Sequence, residues 1–365
     1  MAEKKPLILD IHIPYCVRPE RCQDRYFLTG TNEEKNAYMA ALKREVLSCE
    51  GELDGYEIRA VRLSGGSATV MSPDLLGDLL RTVREHLPVA RGVEISVDAH
   101  LLTIGTPALT GIATGHPTRM ELLVHSDDDS ELEALDCSFR RQHVQNALLF
   151  YHRFRIHNAG VRISYGIPGQ TPLSWKNTLH AMTIMRPVHI TVKPVNGGLA
   201  GETMEEMYQI AVLYLKENGY LQYSDSHFAL AHYGWLYELL DMDASERLGF
   251  GVGACSACDD VLSRNTNNIR LYLQNAGEVE KVTVQASPLT DDLNMEDYLF
   301  RRLHSTDGLD PGAFAARFGR TLPGELENRL GKAEQRGLLV TEEGRYRPTG
   351  QGLFVHNTGG SIITV

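Results

Sequence analysis

The residues of this chain best suited to metal chemistry are its thiols. Cys16 and Cys22 stand six residues apart directly after an apolar run, and Cys255-x-x-Cys258 forms a second close pair. Thiolate is the soft ligand that zinc and iron-sulfur clusters prefer. The six cysteines sit in 365 residues with no secretory leader shape, so they read as core thiols or metal ligands and not as a disulfide framework. Cys49 shares a helical face with Tyr38, Leu42 and Val46, which makes it a core residue. Cys137 follows an acidic stretch and has no visible partner.

The elements that must position these residues alternate regularly. Strands are expected at Leu7 to Ile13, Ala60 to Ser64, Val93 to His100, Met120 to His125, Val161 to Tyr165 and His189 to Pro194. Helices are expected after them, the first opened by the capping box Thr31-x-x-Glu34 and running to about Cys49. Six strand-helix units imply parallel pairing through right-handed crossovers, hence an α/β chain with a partial (β/α)6 barrel over 1–200. A middle region covers 201–290. From 291 to 365 three short helices and the hairpin LLVTEEGRYRPT make a small winged-helix-like domain. In such barrels chemistry gathers at the C-terminal strand ends. Along Val93 to His100 the residues alternate, which places Glu94, Ser96, Asp98 and His100 opposite the apolar face.

The string His12-Ile13-Pro14-Tyr15-Cys16 resembles the cluster-binding loop of radical S-adenosylmethionine (SAM) enzymes. More narrowly it resembles that of the oxygen-independent coproporphyrinogen III oxidases and related haem chaperones, and the similarity extends over nearly the whole chain. The resemblance implies C-x3-C-x2-C, three thiolates on a 4Fe-4S cluster, and SAM on the fourth iron. Here the positions four and seven after Cys16 are Glu20 and Gln23. Taking Cys22 as the second ligand puts Arg25 third. Either register leaves the loop at least one thiolate short, and Cys255 or Cys258, or Glu20 through oxygen, would have to complete the set.

For SAM, the resemblance implies contacts from Ser64, Gly65, Gly66 and Ser67, where the family has G-G-G-T; the bare residues read equally as a strand-helix turn. It implies others from Asp98 in place of a glutamate, from His125 in place of a glutamine, and from Arg141 in R-R-Q-H. Arg162 stands where the family has aspartate, in a string that continues as the well-matched Tyr165-Gly166-Ile167-Pro168-Gly169-Gln170-Thr171. There a carboxylate acceptor has become an obligate donor. His232-Tyr233-Gly234-Trp235 answers an aromatic string linked to haem, so His232 or Tyr233 is a candidate axial ligand, the alternative being a packed aromatic segment.

Two functions follow as expectations. One is a radical SAM oxidoreductase acting on a tetrapyrrole or related small molecule, fed by an electron donor. The other is a non-catalytic relative that binds haem, a porphyrin or a protein partner without a cluster. A net charge of −11 and a C-terminal region without excess basic residues argue against nucleic acid. No apolar run spans a membrane, which makes cytoplasm the expected location.

Overall fold

The computed structural model describes residues 4–18, 28–153, 158–195, 197 and 199–363, leaving out the side chains of 106–109 and 150–153. The described chain divides into two compact units. The first comprises 1–161, 236–241 and 245–289; the second comprises 162–235, 242–244 and 290–365. The stretch 201–290, read above as one region, is thus divided between them.

In the first unit the strands are β1 (Lys5–Ile13), β2 (Tyr56–Gly65), β3 (Val89–Ala99) and β4 (Arg119–His125), paired in parallel in that order. Helices α1 (Asn32–Ser48), α2 (Pro73–His86), α3 (Thr106–Ala113), α4 (Asp129–Ala134) and α5 (Arg141–Arg153) follow them. The start of β5 (Ala159–Tyr165) runs beside β4, where the Met120 N–H donates to the Asn158 carbonyl at 3.1 Å. The parallel strand-helix order is the one expected, and the capping box at Thr31 is present with both of its hydrogen bonds.

Leu7, Leu9, Ile11 and Ile13 of β1, Leu63 of β2 and Val93, Ile95 and Val97 of β3 point to the helices and form one core with Leu42, Leu76 and Leu80. Period-two alternation turns Asp10, Arg62, Ser64 and Asp98 to the other face. Cys49 caps α1 and packs on this core, where burial pushes its thiol up to about 11, as befits a core residue.

The sheet does not stop at β1. A strand at Glu246–Phe250 (here β9) lies parallel to β1, followed outward by Cys255–Cys258 (β10), Val261–Asn265 (β11) and Thr283–Pro288 (β12), all antiparallel. Between them run α9 (Ile269–Asn275) and α10 (Val279–Val282); α8 (Leu236–Met242) precedes β9.

The second unit contains the end of β5 beside β6 (His189–Pro194), joined where the Val195 N–H donates to the Tyr165 carbonyl at 2.9 Å. Helices α6 (Pro172–Met185) and α7 (Gly201–Glu217) pack together, and a hairpin of β7 (Leu221–Gln222) and β8 (His227–Ala229) continues antiparallel from β6. The C-terminal helices α11 (Asp291–Arg302), α12 (Pro311–Phe318) and α13 (Gly324–Gln335) enclose their own core with the hairpin β13 (Leu339–Glu342) and β14 (Arg345–Pro348). Three helices and a hairpin are the elements expected there, and they belong to the same compact unit as 162–235. A last helix, α14 (Gly350–Asn357), was not foreseen.

Candidate functional site

The exit of β1 is clamped from both flanks. On one side Gly65, at φ +120°, is so close that a Cβ would stand 2.3 Å from the Ile13 carbonyl. This is a position only glycine tolerates. The next backbone amides donate back to β1, Gly66 to Ile13 at 2.8 Å and Ser67 to Tyr15 at 2.9 Å. On the other side the Tyr38 hydroxyl donates to the His12 carbonyl at 2.7 Å and accepts from the Val252 N–H at 3.1 Å. Glu45 stands behind Tyr38 and takes hydrogen bonds from the Gly251 N–H at 2.7 Å, Asn265 Nδ2 at 2.6 Å and the Tyr272 hydroxyl at 2.6 Å. Burial raises the Glu45 carboxyl pKa although all three donors oppose it.

The loop leaving this clamp is closed at its base. Leu28 donates to the Pro14 carbonyl at 2.8 Å and accepts from the Cys16 amide at 3.0 Å, so the chain returns to the point it left. Cys16 is buried there, its Sγ 3.7 Å from the Leu28 carbonyl. Glu20, Cys22, Gln23 and Arg25 lie outside the described residues.

The residues expected around SAM are engaged with one another or with neighbours. The Ser64 hydroxyl donates to Asp10 Oδ1 at 2.8 Å. Asp98 faces Arg62 at 3.5 Å, and the same guanidinium reaches Glu238 of α8 at 3.7 Å and lies over the Tyr237 ring at 5.7 Å. Burial opposes the charge of Arg62, but the carboxylates of Asp98, Asp10 and Glu238 outweigh it and raise its pKa further. The Ser67 hydroxyl meets Thr69 at 2.9 Å, and the Thr69 hydroxyl receives the His100 N–H at 2.9 Å. His125 ends β4 at φ +61° and stacks on Phe139. Arg141 is exposed at the start of α5, with its Nε 3.0 Å from Asp127 and its amide donating to Asp129 at 2.7 Å. Arg162 is half-buried on β5 and belongs to the second unit.

Cys255 and Cys258 are not a chelating pair. Both lie on β10, and residues three apart on a strand face opposite sides, so the pair does not chelate one ion. Cys258 lies beside Glu246, whose sheet partner is Leu7, nine residues before Cys16. Leu7 is six residues before the end of β1 at Ile13, which at about 3.3 Å per residue is roughly 20 Å. Cys255 stands opposite Gly249, which pairs with Asp10, three residues and roughly 10 Å before the end of β1. Burial first, then Glu246 and Asp259, push the Cys258 thiol up to about 12 against the opposing hydrogen bond of Tyr56, whose hydroxyl lies 2.6 Å from both carboxylates. The Cys255-x-x-Cys258 spacing resembled a chelate, but extended backbone turns the two thiols to opposite faces.

Cys16 with Cys22 gives the loop sequence two thiols where a 4Fe-4S cluster takes three, and Glu20, the oxygen alternative, lies outside the described residues. The β3 carboxylate expected at SAM, Asp98, is paired with Arg62 in this structure.

In the second unit His232 stands exposed in a turn at φ +71°, and Tyr233 is also exposed. The buried rings are others. His189 Nε2 lies 2.8 Å from the Tyr223 hydroxyl, Tyr223 stacks on His227 at 5.7 Å, and Trp235 meets His227 edge-on at 5.8 Å. The sequence reading passed over His189 and His227 because only strand pairing, Thr191 with His227, brings them together.

A family model described as the HemN C-terminal domain matches residues 289–355. The heme chaperone HemW of Bacillus subtilis is 22% identical over 366 residues, spanning 95% of this chain and 96% of that protein. The oxygen-independent coproporphyrinogen III oxidase of Escherichia coli is 22% identical over 319 residues, covering 79% of this chain and 69% of its own length. Among solved structures, coproporphyrinogen III oxidase (HemN) from Escherichia coli, described as a radical SAM enzyme, superposes with a TM-score of 0.85 at 18% identity. The match covers 97% of this chain and 89% of that one. At that identity the match establishes the fold.

Proposed function

We propose that this chain, a homologue of the HemW haem chaperones and the oxygen-independent coproporphyrinogen III oxidases built on their fold, binds a tetrapyrrole without performing radical chemistry. The observation that carries this reading is the thiol count of the loop sequence after β1, two cysteines, Cys16 and Cys22, against the three thiolates a SAM-binding cluster uses. Fold alone does not decide activity. The clamp that holds the loop root is complete, while the wall beside it is occupied by the Arg62 ion network. A tetrapyrrole, whether haem or a porphyrin, is the ligand class that the two groups of relatives share. The acidic balance and the lack, among the described residues, of a helix able to cross a membrane support a cytoplasmic protein without a nucleic-acid partner. No electron donor is required.

Two measurements on the full chain test this. Anaerobic iron-sulfide reconstitution is expected to leave well under one cluster per chain, with no EPR signal that SAM perturbs. Haem titration is expected to saturate near one equivalent. About four irons per chain with a SAM-responsive signal would overturn the non-catalytic reading, and no saturable haem or porphyrin binding would overturn the tetrapyrrole.

A further inference from the structure

His304 follows α11, and its Nδ1 lies 3.4 Å from Asp225 Oδ2. Asp225 sits in the β7–β8 turn and is buried. Its own carbonyl takes the Tyr208 hydroxyl at 2.7 Å and Asn357 Nδ2 at 3.1 Å, while its amide donates to the His304 carbonyl at 2.9 Å. Burial alone would raise its pKa, but His304, Lys193 and His227 hold the carboxyl well below the usual range. The His304 ring packs on His356 at a centroid separation of 4.2 Å, and Phe300 meets it edge-on at 4.6 Å.

His356 is 3% exposed and neither ring nitrogen makes a hydrogen bond of ordinary geometry. Burial first, and His304 beside it, push its pKa down to about 3, against smaller opposing effects of Asp225 and the Gly360 backbone. His356 is thus a neutral ring that backs His304.

With the Nδ1 proton directed at Asp225, the lone pair of His304 is on Nε2, which has no hydrogen bond among the described residues, on a side chain 25% exposed. A carboxylate behind an imidazole fixes the tautomer and raises the basicity of metal-binding histidines. A bare ion is not served here, because tetrahedral sites draw three or four donors from protein. Asp225, His304 and His356 do not bring three ligand atoms within 4.8 Å of one another, as Glu246, Cys258 and Asp259 do. Haem iron carries four nitrogens of its own and needs only axial ligands. Phe300, 39% exposed, offers an apolar ring beside the free imidazole edge.

We infer that His304 is an axial ligand for haem iron, with Asp225 as its positioning residue. This rests on the tetrapyrrole reading and names its iron-bound form. The step forms one coordinate bond from the Nε2 lone pair to iron. Nδ1 keeps its proton, and no electron is transferred.

The test is ferric haem titration of the full chain at the Soret band. His304→Ala is expected to weaken binding about tenfold or more and to shift the band, with millimolar imidazole restoring it. Asp225→Asn is expected to retain binding, to weaken it about tenfold, and to move the carbonyl stretch of the ferrous–CO complex. If the alanine variant misfolds by circular dichroism, His304→Met keeps the volume and must still change the spectrum. Wild-type affinity and spectrum in a folded His304→Ala or His304→Met variant would overturn the assignment and leave the tetrapyrrole reading intact. So would loss of the band in His232→Ala alone. Absence of haem binding in the wild type would overturn the assignment, and absence of porphyrin binding as well would overturn the tetrapyrrole reading with it.

Discussion

Behind the β1 exit, Tyr38, Glu45, Asn265 and Tyr272 form a closed polar network in which the buried carboxylate accepts three hydrogen bonds. In front of it, Asp10, Arg62, Asp98 and Glu238 form an ion network in which one guanidinium answers three carboxylates. The first is scaffold: Glu45 holds the Gly251 amide directly, and Tyr38 beside it holds the His12 carbonyl and the Val252 amide at the loop root. The second lies where the resemblance implies cofactor contacts, and it has been turned inward. The hydrogen bonds that place the loop are all made, while the residues where the resemblance implies cofactor contacts are engaged with one another.

The largest effect is expected from breaking the rear network. Glu45→Ala leaves the Gly251 amide, Asn265 and the Tyr272 hydroxyl buried without their acceptor, and costs about 3–4 kcal/mol in denaturant unfolding. The same residue sets a pH dependence. Its folded pKa is raised, so the folded state holds more protons than the unfolded one between the ordinary glutamate value, about 4.3, and the higher folded value. Its stabilising contribution is full below that ordinary value and is lost as pH rises through the folded pKa. Glu45→Gln removes this slope; an unchanged slope would show that another group carries it.

An intermediate effect is expected in front. Arg62→Ala leaves Asp98, nearly fully buried, beside Asp10 and Glu238 without their shared cation. The cost at neutral pH is about 2–3 kcal/mol, less than for a fully enclosed pair because Asp10 and Glu238 keep some water. Arg62→Met, which keeps most of the side-chain volume without the charge, is expected to cost nearly as much; wild-type stability in that variant would mean that Arg62 acts through packing on Tyr237 instead.

The two networks also mark how far the sequence could be read. The strand-helix order was legible because alternating apolar residues in β3 and the Thr31 capping box are local signals, and both appear as expected. The sheet extension β9 to β12 was not, because strands of four to six residues in a polar stretch carry no periodicity. Asp98 was legible as a residue on the non-helical face, but its partner was not, since Arg62 and Glu238 reach it through sheet register and the placement of α8. Cys255-x-x-Cys258 misled for the same reason, since its spacing suits a chelate in a turn and defeats one in a strand. His304 and Asp225 are 79 residues apart in the chain and meet only through folding.

The smallest change in stability, and the sharpest test of the contrast, comes from returning thiols to the loop. Glu20→Cys with Gln23→Cys would recreate the C-x3-C-x2-C spacing after Cys16. If the rear network holds the loop root ready, reconstitution should now load close to four irons per chain. The front network would still tie Asp98 to Arg62, so SAM should leave the EPR signal of the reduced cluster unchanged. Adding Arg62→Ala frees the carboxylate and should restore at most a partial response, because Arg162 still stands where the resemblance implies an acceptor. A full SAM response in the loop double variant would mean that the ion network opens readily. The cluster ligands of the loop alone would then separate this chain from a SAM-responsive one.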